Sequence, residues 1–439
     1  DFFLEAAKQF DYIFTTDADC IPKYQELTKC RNIYALPFAA QPEIHNPIAR
    51  KPRNGKVCFA GTYYNEQFAE RKIDLDILLK PALDYGLEIY DRNFGTTGKG
   101  SEQFRFPEIY HASVKGNLAY TEMIETYKEY KVFLNVNSVR YSPTMFARRV
   151  FEILACGTPV ISSYSKGIIN LLGEGTVLIS ECEKDTREHL DRLLGDQHFW
   201  WEQSLKGIRK VMEHHTYQNR TNLIFSVTGL DPRQSEPVRF LCIAEINNIE
   251  NAAYLSGIIR EQAYSDYTVL LLAGLDTDFD EEQLAAIRKI FSFVKTEIIP
   301  VSSAREIKFL LEHSEYSHAV FLNAANYYGK NYLRDFSLAI RYSGAKILGR
   351  KSGFSSGQNG TITEYNMGHE FRFVNDVPAD TLVIQKKLLS GKDIAVFTKN
   401  EDFTTTDASV FSIDPFGFLR NGRSALETNR EHVLKTIDI

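Results

Sequence analysis

The chain has 439 residues, of which 44% are hydrophobic and 25% charged, and its net charge is −6. That length exceeds one ordinary hydrophobic core, so two or three domains are expected. The balance is that of a globular protein and gives no support to a nucleic-acid-binding surface, and no apolar run reaches the roughly 18 residues of a membrane span.

The six cysteines (Cys20, Cys30, Cys58, Cys156, Cys182, Cys242) are scattered, without a CxxC pair. They are expected to be reduced, buried thiols in a cytoplasmic protein. The start carries no signal-peptide pattern. It opens on "DFFLEAAKQFDYIF", a helix entering a strand, which raises the expectation that the first domain's opening half lies upstream of Asp1.

In chain order, "DYIFTT" and "NIYALPFAA" read as buried strands. "QPEIHNPIARKPRNGK" reads as a linker or crossover. From Lys56 the alternation is regular. "KVCFAGTYY" is a strand, "ERKIDLDILLKPALDYG" a helix, "LEIYDRNF" a strand, "YTEMIETYKEY" a helix and "KVFLNVNS" a strand. "MFARRVFEILACG" is a helix stopped by glycine, and "TPVISS", "GIINLLG" and "TVLIS" continue the series. Helices cover 183 to about 225. Such alternation argues for a parallel sheet with helices on both faces. "SVTGLDPRQSEP" is a second linker. A further α/β unit opens with "VRFLCIAEINN", "NAAYLSGIIREQA" and "YTVLLLAG", leads to "HAVFLNAAN", and loosens at "SGFSSGQNG". The expected domains are 1–50, 51–228 and 237–439.

Residues 142–163 carry the clearest chemistry. A helix beginning after Ser142-Pro143 would present free N–H groups and a positive dipole end to an anion near Thr144. Arg148 and Arg149 lie one to two turns in, and Glu152 further along. Read from periodicity alone, this is an amphipathic helix with solvated arginines. Gly61, Thr62 and Tyr63, then Arg92 and Asn93, then Lys115 and Gly116, follow strands or precede a helix. In open α/β sheets ligands bind at such carboxyl ends. Asp17-Ala18-Asp19 spells a DxD, but its context favours a solvated turn. His214-His215 are expected in a long polar helix, where adjacent positions do not share a face.

"FEILACGTPVIS" resembles the C-terminal domain of two-domain, GT-B-type glycosyltransferases. "YKVFLNVNSVRYSPTMFARRVFEILACGTPVIS", "IFTTDADCIPKY", "YALPFAAQPEIHNPI" and "VCFAGTYY" are similar to the CgeB/YkvP-like spore-protein branch. The resemblance covers about residues 10–225. It implies a GT-B-type Rossmann-like domain whose N-terminal partner is truncated, and assigns Glu152 to the donor ribose. Many retaining members carry a second glutamate eight positions earlier, where this chain has Thr144. The implied partners are a nucleotide-sugar donor, such as a UDP-sugar, and a glycan, glycoprotein or spore-coat acceptor. No metal or other cofactor is expected.

"RFLCIAEINNIENAAYLSGIIREQAYSDYTVLLLAGLDTD" resembles the opening of a GT-A, family-two-like glycosyltransferase. There, acids would follow the second strand and a DxD would hold a metal. Here Ala273-Gly274 end that strand, and Asn323, Ala325 and Asn326 stand where the acids would be. Amides bring no charge to a divalent ion beside a diphosphate. The expectation is a GT-A-like domain without its own catalysis. The rival readings are a non-catalytic glycan-binding or scaffolding module and a nucleotide-sugar epimerase.

Overall fold

The computed structural model describes residues 2–48, 51–64, 69–97, 101–231, 237–275, 277–357, 359–399, 401–407 and 409–439. The chain divides into two compact units, Asp1–Arg233 and Gln234–Ile439. Among the described residues no helix is long and apolar enough to cross a membrane. The six cysteines are free thiols; Cys58, Cys156 and Cys242 are buried, whereas Cys182 is exposed.

The first unit opens with α1 (Phe2–Ala7), β1 (Ile13–Thr15), α2 (Ile21–Thr28) and β2 (Ile33–Ala35). β1 and β2 pair in parallel as a small sheet of their own. There follow β3 (Gly55–Gly61), α3 (Ala69–Ala82), β4 (Leu87–Asp91), β5 (Val114–Gly116), α4 (Tyr120–Glu129) and β6 (Tyr130–Asn135). Then come α5 (Arg149–Ala155), β7 (Val160–Ser163), α6 (Lys166–Leu172) and β8 (Leu178–Ser180). The helices α7 (Glu183–Gly195), α8 (Gln197–His214) and α9 (Tyr217–Thr228) close the unit.

Among the described residues, β3 to β8 form a six-stranded sheet in the order β5-β4-β3-β6-β7-β8. Every pairing is parallel. Counted from β3, this is the doubly wound order 3-2-1-4-5-6, which reverses between β3 and β6. Val57–Gly61 of β3 are all buried, as an inner parallel strand covered on both faces requires. The core joins β3, β4 and β6 to Leu75, Leu78 and Leu79 of α3 and Leu190 and Leu193 of α7. Trp200 packs into it and donates from Nε1 to the Lys131 carbonyl at 2.8 Å.

Two expectations change here. The helix expected from Ser142 begins only at Arg149. The amides that would start it are taken by side chains: Met145 N–H donates to Ser142 Oγ (3.0 Å) and Ala147 N–H to Asn137 Oδ1 (3.4 Å). Side-chain acceptors of this kind compete with helix formation. The segment expected as a linker or crossover is tied into the unit, with Arg53 donating to the Tyr130 and Cys156 carbonyls at 3.1 and 2.8 Å. Ala40 N–H donates to the His215 carbonyl and Tyr217 N–H to the Ala40 carbonyl, while Lys128 Nζ donates to the Ile48 carbonyl. Residues 49 and 50 lie outside the described residues.

The second unit carries β9 (Phe240–Ile246), α10 (Ile249–Arg260), β10 (Tyr267–Ala273), α11 (Glu281–Ile290), β11 (Thr296–Pro300), α12 (Ala304–His313) and β12 (His318–Asn323). After these come β13 (Tyr327–Tyr328), α13 (Tyr332–Ser343), β14 (Ile347–Gly349), β15 (Gly353–Ser356), β16 (Ile362–Tyr365), β17 (Arg372–Val374), β18 (Asp376–Pro378) and β19 (Val383–Gln385). The unit ends with α14 (Gly391–Thr398), β20 (Asp402–Thr404), β21 (Val410–Ser412), β22 (Phe418–Arg420), α15 (Gly422–Thr428) and α16 (Arg430–Ile437). Its main sheet runs β11-β10-β9-β12-β19-β14-β21-β17. The first four strands are parallel, and β19 joins β12 antiparallel. The unit is therefore α/β with a mixed sheet.

His215 leaves α8 and is buried rather than part of a polar helix. Its Nδ1 accepts from Arg220 at 3.0 Å, so Nε2 bears the hydrogen and donates to the Leu171 carbonyl at 2.9 Å. Arg220 also grips the Pro37 and Phe38 carbonyls. Burial pushes the His215 imidazole down from 6.5 to about 4. Between those values the unfolded chain binds a proton that the folded one refuses. This contribution to stability is complete above pH 6.5 and is lost as pH falls towards 4, by roughly 3 kcal/mol. Urea unfolding from pH 7 to 4 should show that decline, and His215→Gln should flatten it.

Candidate functional site

At the reversal point of the first unit's sheet lies a cleft of about 640 Å³. Gly61 and Thr62 enter it from the end of β3, Arg92 from β4, Tyr120 from α4, and Arg148, Arg149 and Glu152 from α5 and its approach. This is the carboxyl edge where doubly wound sheets bind ligands. A methyl group on Gly61 would lie 2.9 Å from Phe59 and 3.4 Å from Arg149 Nη1, so glycine keeps the strand end open to the arginine. Beyond β6, Asn137 donates to Ser162 Oγ and to the Ser163 carbonyl, and its own N–H donates to Ser163 Oγ. These buried bonds fix the loop that delivers Arg148 and Arg149.

Glu152 is only 2% exposed, yet its carboxylate lines the cleft. Oε1 accepts from Arg148 Nε at 2.8 Å and from the Tyr120 hydroxyl at 3.2 Å. Oε2 accepts from the Tyr127 hydroxyl at 3.3 Å. A carboxylate offers about four acceptor positions, so one is left for a ligand hydroxyl. His45 stands behind. Gln41 N–H donates to its Nδ1, which places the hydrogen on Nε2, 3.0 Å from the Tyr120 oxygen. Burial lowers the imidazole's pKa, so His45 is a neutral donor that orients Tyr120. At 3.8 Å its Nε2 is too far from Glu152 to hydrogen bond.

Arg148 is thus committed to Glu152 and lies over the Tyr120 ring. Arg149 is different. Among the described residues it makes no hydrogen bond or ion pair. Burial, the first cause, and the nearby Arg92 both lower its pKa, while Tyr127 and Glu152 act the other way. Arg71 also lines the cleft, donating to the Val136 carbonyl at 3.2 Å and to Ser138 at 3.0 Å, and it too feels Arg149 and Arg92. Positive charge therefore converges where no described carboxylate neutralises Arg149.

Three expected residues lie elsewhere. Tyr63 is turned into the core against Phe106 and Tyr110, and its neighbour Tyr64 lines the cleft instead. Lys115 pairs with Glu88 at 3.3 Å. Thr144 donates to the Thr16 carbonyl at 2.8 Å and accepts from Ala18 N–H at 2.9 Å. Asp17 is not merely solvated: it caps the turn at Asp19 N–H and accepts from Ser142 Oγ at 2.6 Å. His45, Tyr120, Tyr127, Arg71 and Tyr64 were missed. The partners that place Tyr120, Tyr127 and Arg71 in the site are 25 to 65 residues away along the chain, beyond the reach of local pattern.

In the second unit, Ala273 and Gly274 end β10, and a methyl on Gly274 would strike Asn247. Asn323 Oδ1 accepts from Ala325 N–H at 2.9 Å. Asn326 is buried, donating to Asp380 Oδ2 at 2.7 Å and accepting from Asn421 N–H at 2.8 Å. With both amide carbonyls engaged, this donor set does not fit a divalent cation. Among the described residues no group of three His, Cys, Asp or Glu could hold one.

Residues 76–226 match the family model described as glycosyl transferase-like, so this stretch carries a glycosyl transferase-like domain. No curated protein matches the chain. Among solved structures, the chain is similar to sucrose-phosphate synthase from Thermosynechococcus elongatus at 16% identity and TM-score 0.39, over 52% of this chain and 60% of that one. It is similar to S. aureus TarM at 11% identity and TM-score 0.38, over 52% and 45%. Residues 1–349 of S. aureus TarS match at 15% identity and TM-score 0.30, over 44% and 63%. The chain spans between 45% and 63% of the length of these three proteins.

Glu152→Ala should cost about 2–3 kcal/mol, because it strands the Tyr127 hydroxyl and frees Arg148. Glu152→Gln, which keeps an acceptor, should cost less; denaturant midpoints compare them. Asn326→Asp should destabilise by about 2 kcal/mol at pH 7, since it sets a carboxylate against Asp380, and the loss should shrink at pH 4. Thermal melts at the two pH values measure this.

Proposed function

We propose that the first unit is the nucleotide-sugar-binding domain of a glycosyltransferase. It would move a sugar from a nucleotide-linked donor to a hydroxyl of a surface glycan, glycoprotein or spore-coat component. The glycosyl transferase-like match over residues 76–226 supports the reaction class. The resemblance to the CgeB/YkvP-like branch suggests the acceptor. The observation that carries the reading is Arg149, a partly buried guanidinium without an ion-pair partner among the described residues, at the reversal point of the sheet.

In this reading the donor diphosphate lies in the cleft against the Gly61 backbone and the Arg149 guanidinium, which are close neighbours, with Arg92 and Arg71 also lining it. The fourth acceptor position of Glu152 takes a ribose hydroxyl. As the bond from the sugar to the phosphate breaks, negative charge grows on the departing diphosphate. Fixed cations there stabilise the transition state more than the ground state. The arginines take the neutralising role that a divalent ion would otherwise fill. The second unit, with amides at 323 and 326, adds no catalysis of its own.

A second reading, a non-catalytic glycan-binding or scaffolding protein, draws on the binding of Thr144 to the Thr16–Ala18 segment and the saturated Asn326 amide. Calorimetry with UDP and GDP separates the two. Metal-independent binding, weakened roughly 10- to 100-fold by Arg149→Ala, is expected from the loss of a charge-assisted contact. Absence of binding to either nucleotide, or binding that requires Mn²⁺ and ignores Arg149→Ala, defeats the proposal. Donor turnover without an acceptor would instead point to epimerisation or hydrolysis.

A further inference from the structure

The titratable side chain behind Glu152 comes from the opening segment of the first unit. His45 closes a turn with Gln41. The Gln41 carbonyl accepts from His45 N–H at 2.7 Å, and Gln41 N–H donates to His45 Nδ1 at 3.1 Å. Both backbone groups of Gln41 are therefore committed to one residue. Asn46 pins the same turn by donating from Nδ2 to the Pro42 carbonyl at 2.8 Å.

From that turn a chain of hydrogen bonds runs into the cleft. His45 Nε2 faces the Tyr120 oxygen, the Tyr120 hydroxyl donates to Glu152 Oε1, and Arg148 Nε donates to the same oxygen. The chain has one direction. Nδ1 must be bare to accept from Gln41, and Nε2 must carry a hydrogen to donate to Tyr120.

A second proton on the ring has only Nδ1 to go to. There it would point at Gln41 N–H, donor against donor, so the turn must open before the proton is held. The charged and titratable groups facing the ring are Tyr120 and Lys128 from α4, and Arg148 and Glu152 from α5 and its approach. On its own turn, Glu43 is held by the Gln41 side chain. Two of the facing groups are cations, and Glu152, 3.8 Å from Nε2, is already paired with Arg148. An imidazolium there competes with Arg148 for that carboxylate and withdraws the group that orients Tyr120. Burial, the largest cause, holds the imidazole below 6.5; Glu152 opposes this, and Arg148 and Lys128 add to it. Above 6.5 the ring is neutral and the turn stays closed. As pH falls below that value, proton uptake favours the opened form, in which the ring recovers its ordinary affinity.

We propose that His45 is an acid-released latch on Glu152: proton uptake opens the Gln41–His45 turn, and Tyr120 and Glu152 lose the arrangement that receives a ligand hydroxyl. The coupling of His45, Tyr120 and Arg148 is a property of the fold. Only the identity of the ligand rests on the transferase reading.

Nitrogen-15 NMR of the imidazole and arginine side chains, on the full chain without ligand from pH 8 to 5, tests the latch. That range stops above the His215 transition at about 4. His45→Gln and Arg148→Lys assign the signals. At pH 8 the His45 ring should carry its hydrogen on Nε2 alone. Below pH 6.5 the Arg148 Nε–H signal should move together with the His45 ring. Calorimetry with UDP-glucose, whose diphosphate does not titrate in this range, reads the consequence. Affinity should fall roughly tenfold between pH 7.5 and 5, as for the loss of one hydrogen bond. His45→Gln should bind at pH 7.5 and lose the pH step, and Tyr120→Phe should bind weakly at both pH values. A hydrogen on Nδ1 at pH 8 overturns the proposal. So does an Arg148 signal that ignores the His45 titration, or a pH step that survives in His45→Gln. Absence of UDP-glucose binding at pH 7.5 defeats the transferase reading instead, and the ligand-free signals still decide the latch.

Discussion

The first unit depends on how a pair of adjacent arginines divides its work. Arg148 neutralises Glu152 inside the protein, where an unpaired carboxylate would be expensive. With that carboxylate spoken for, Arg149 faces the cleft with its charge uncompensated by any described ion pair. Had Arg149 been the partner of Glu152, the cleft would hold a closed, neutral pair. The division is set by backbone geometry: α5 starts at Arg149, so the two side chains leave the chain on different faces. The Tyr127 hydroxyl and the Tyr120 hydroxyl, the latter oriented by His45, occupy two further acceptor positions of the carboxylate and leave one open to the cleft.

The two units present opposite solutions at the same structural address, the carboxyl edge of a parallel run of strands. In the first, the edge is electropositive, with four arginines, one of them paired with Glu152, and a glycine that clears the approach. In the second, the edge is lined with amides, and its arginines are consumed by neighbouring acids. The shared α/β architecture therefore says little about ligand class; the side chains at the strand ends decide it.

Much of the first unit was legible in the sequence because parallel strands and their helices leave local periodic marks. "KVCFAG" is apolar throughout since β3 is covered on both faces. Arg148, Arg149 and Glu152 could be picked out together because they share one short helix and its entry. What escaped was long-range. His45 reaches Tyr120 across 75 residues, and Arg71 reaches the Val136 carbonyl across 65. The helix start was misplaced because Ser142 and Asn137 intercept the amides that a helix would use, a contest periodicity does not reveal. Tyr63 sits in the expected loop and Lys115 in the short strand β5, and neither lines the cleft. A strand's alternation cannot be phased without knowing which face is the core.

The bonds from Thr144 and Ser142 to residues 16–18 give the opening segment a role at a distance. They tether the middle of the loop that ends at the cleft arginines, while Arg220 ties down Pro37 and Phe38 from behind. A chain trimmed past Ala18 would keep every group that touches the cavity. It would nonetheless hand that loop back its conformational freedom, and any ligand would then have to immobilise it anew on arrival.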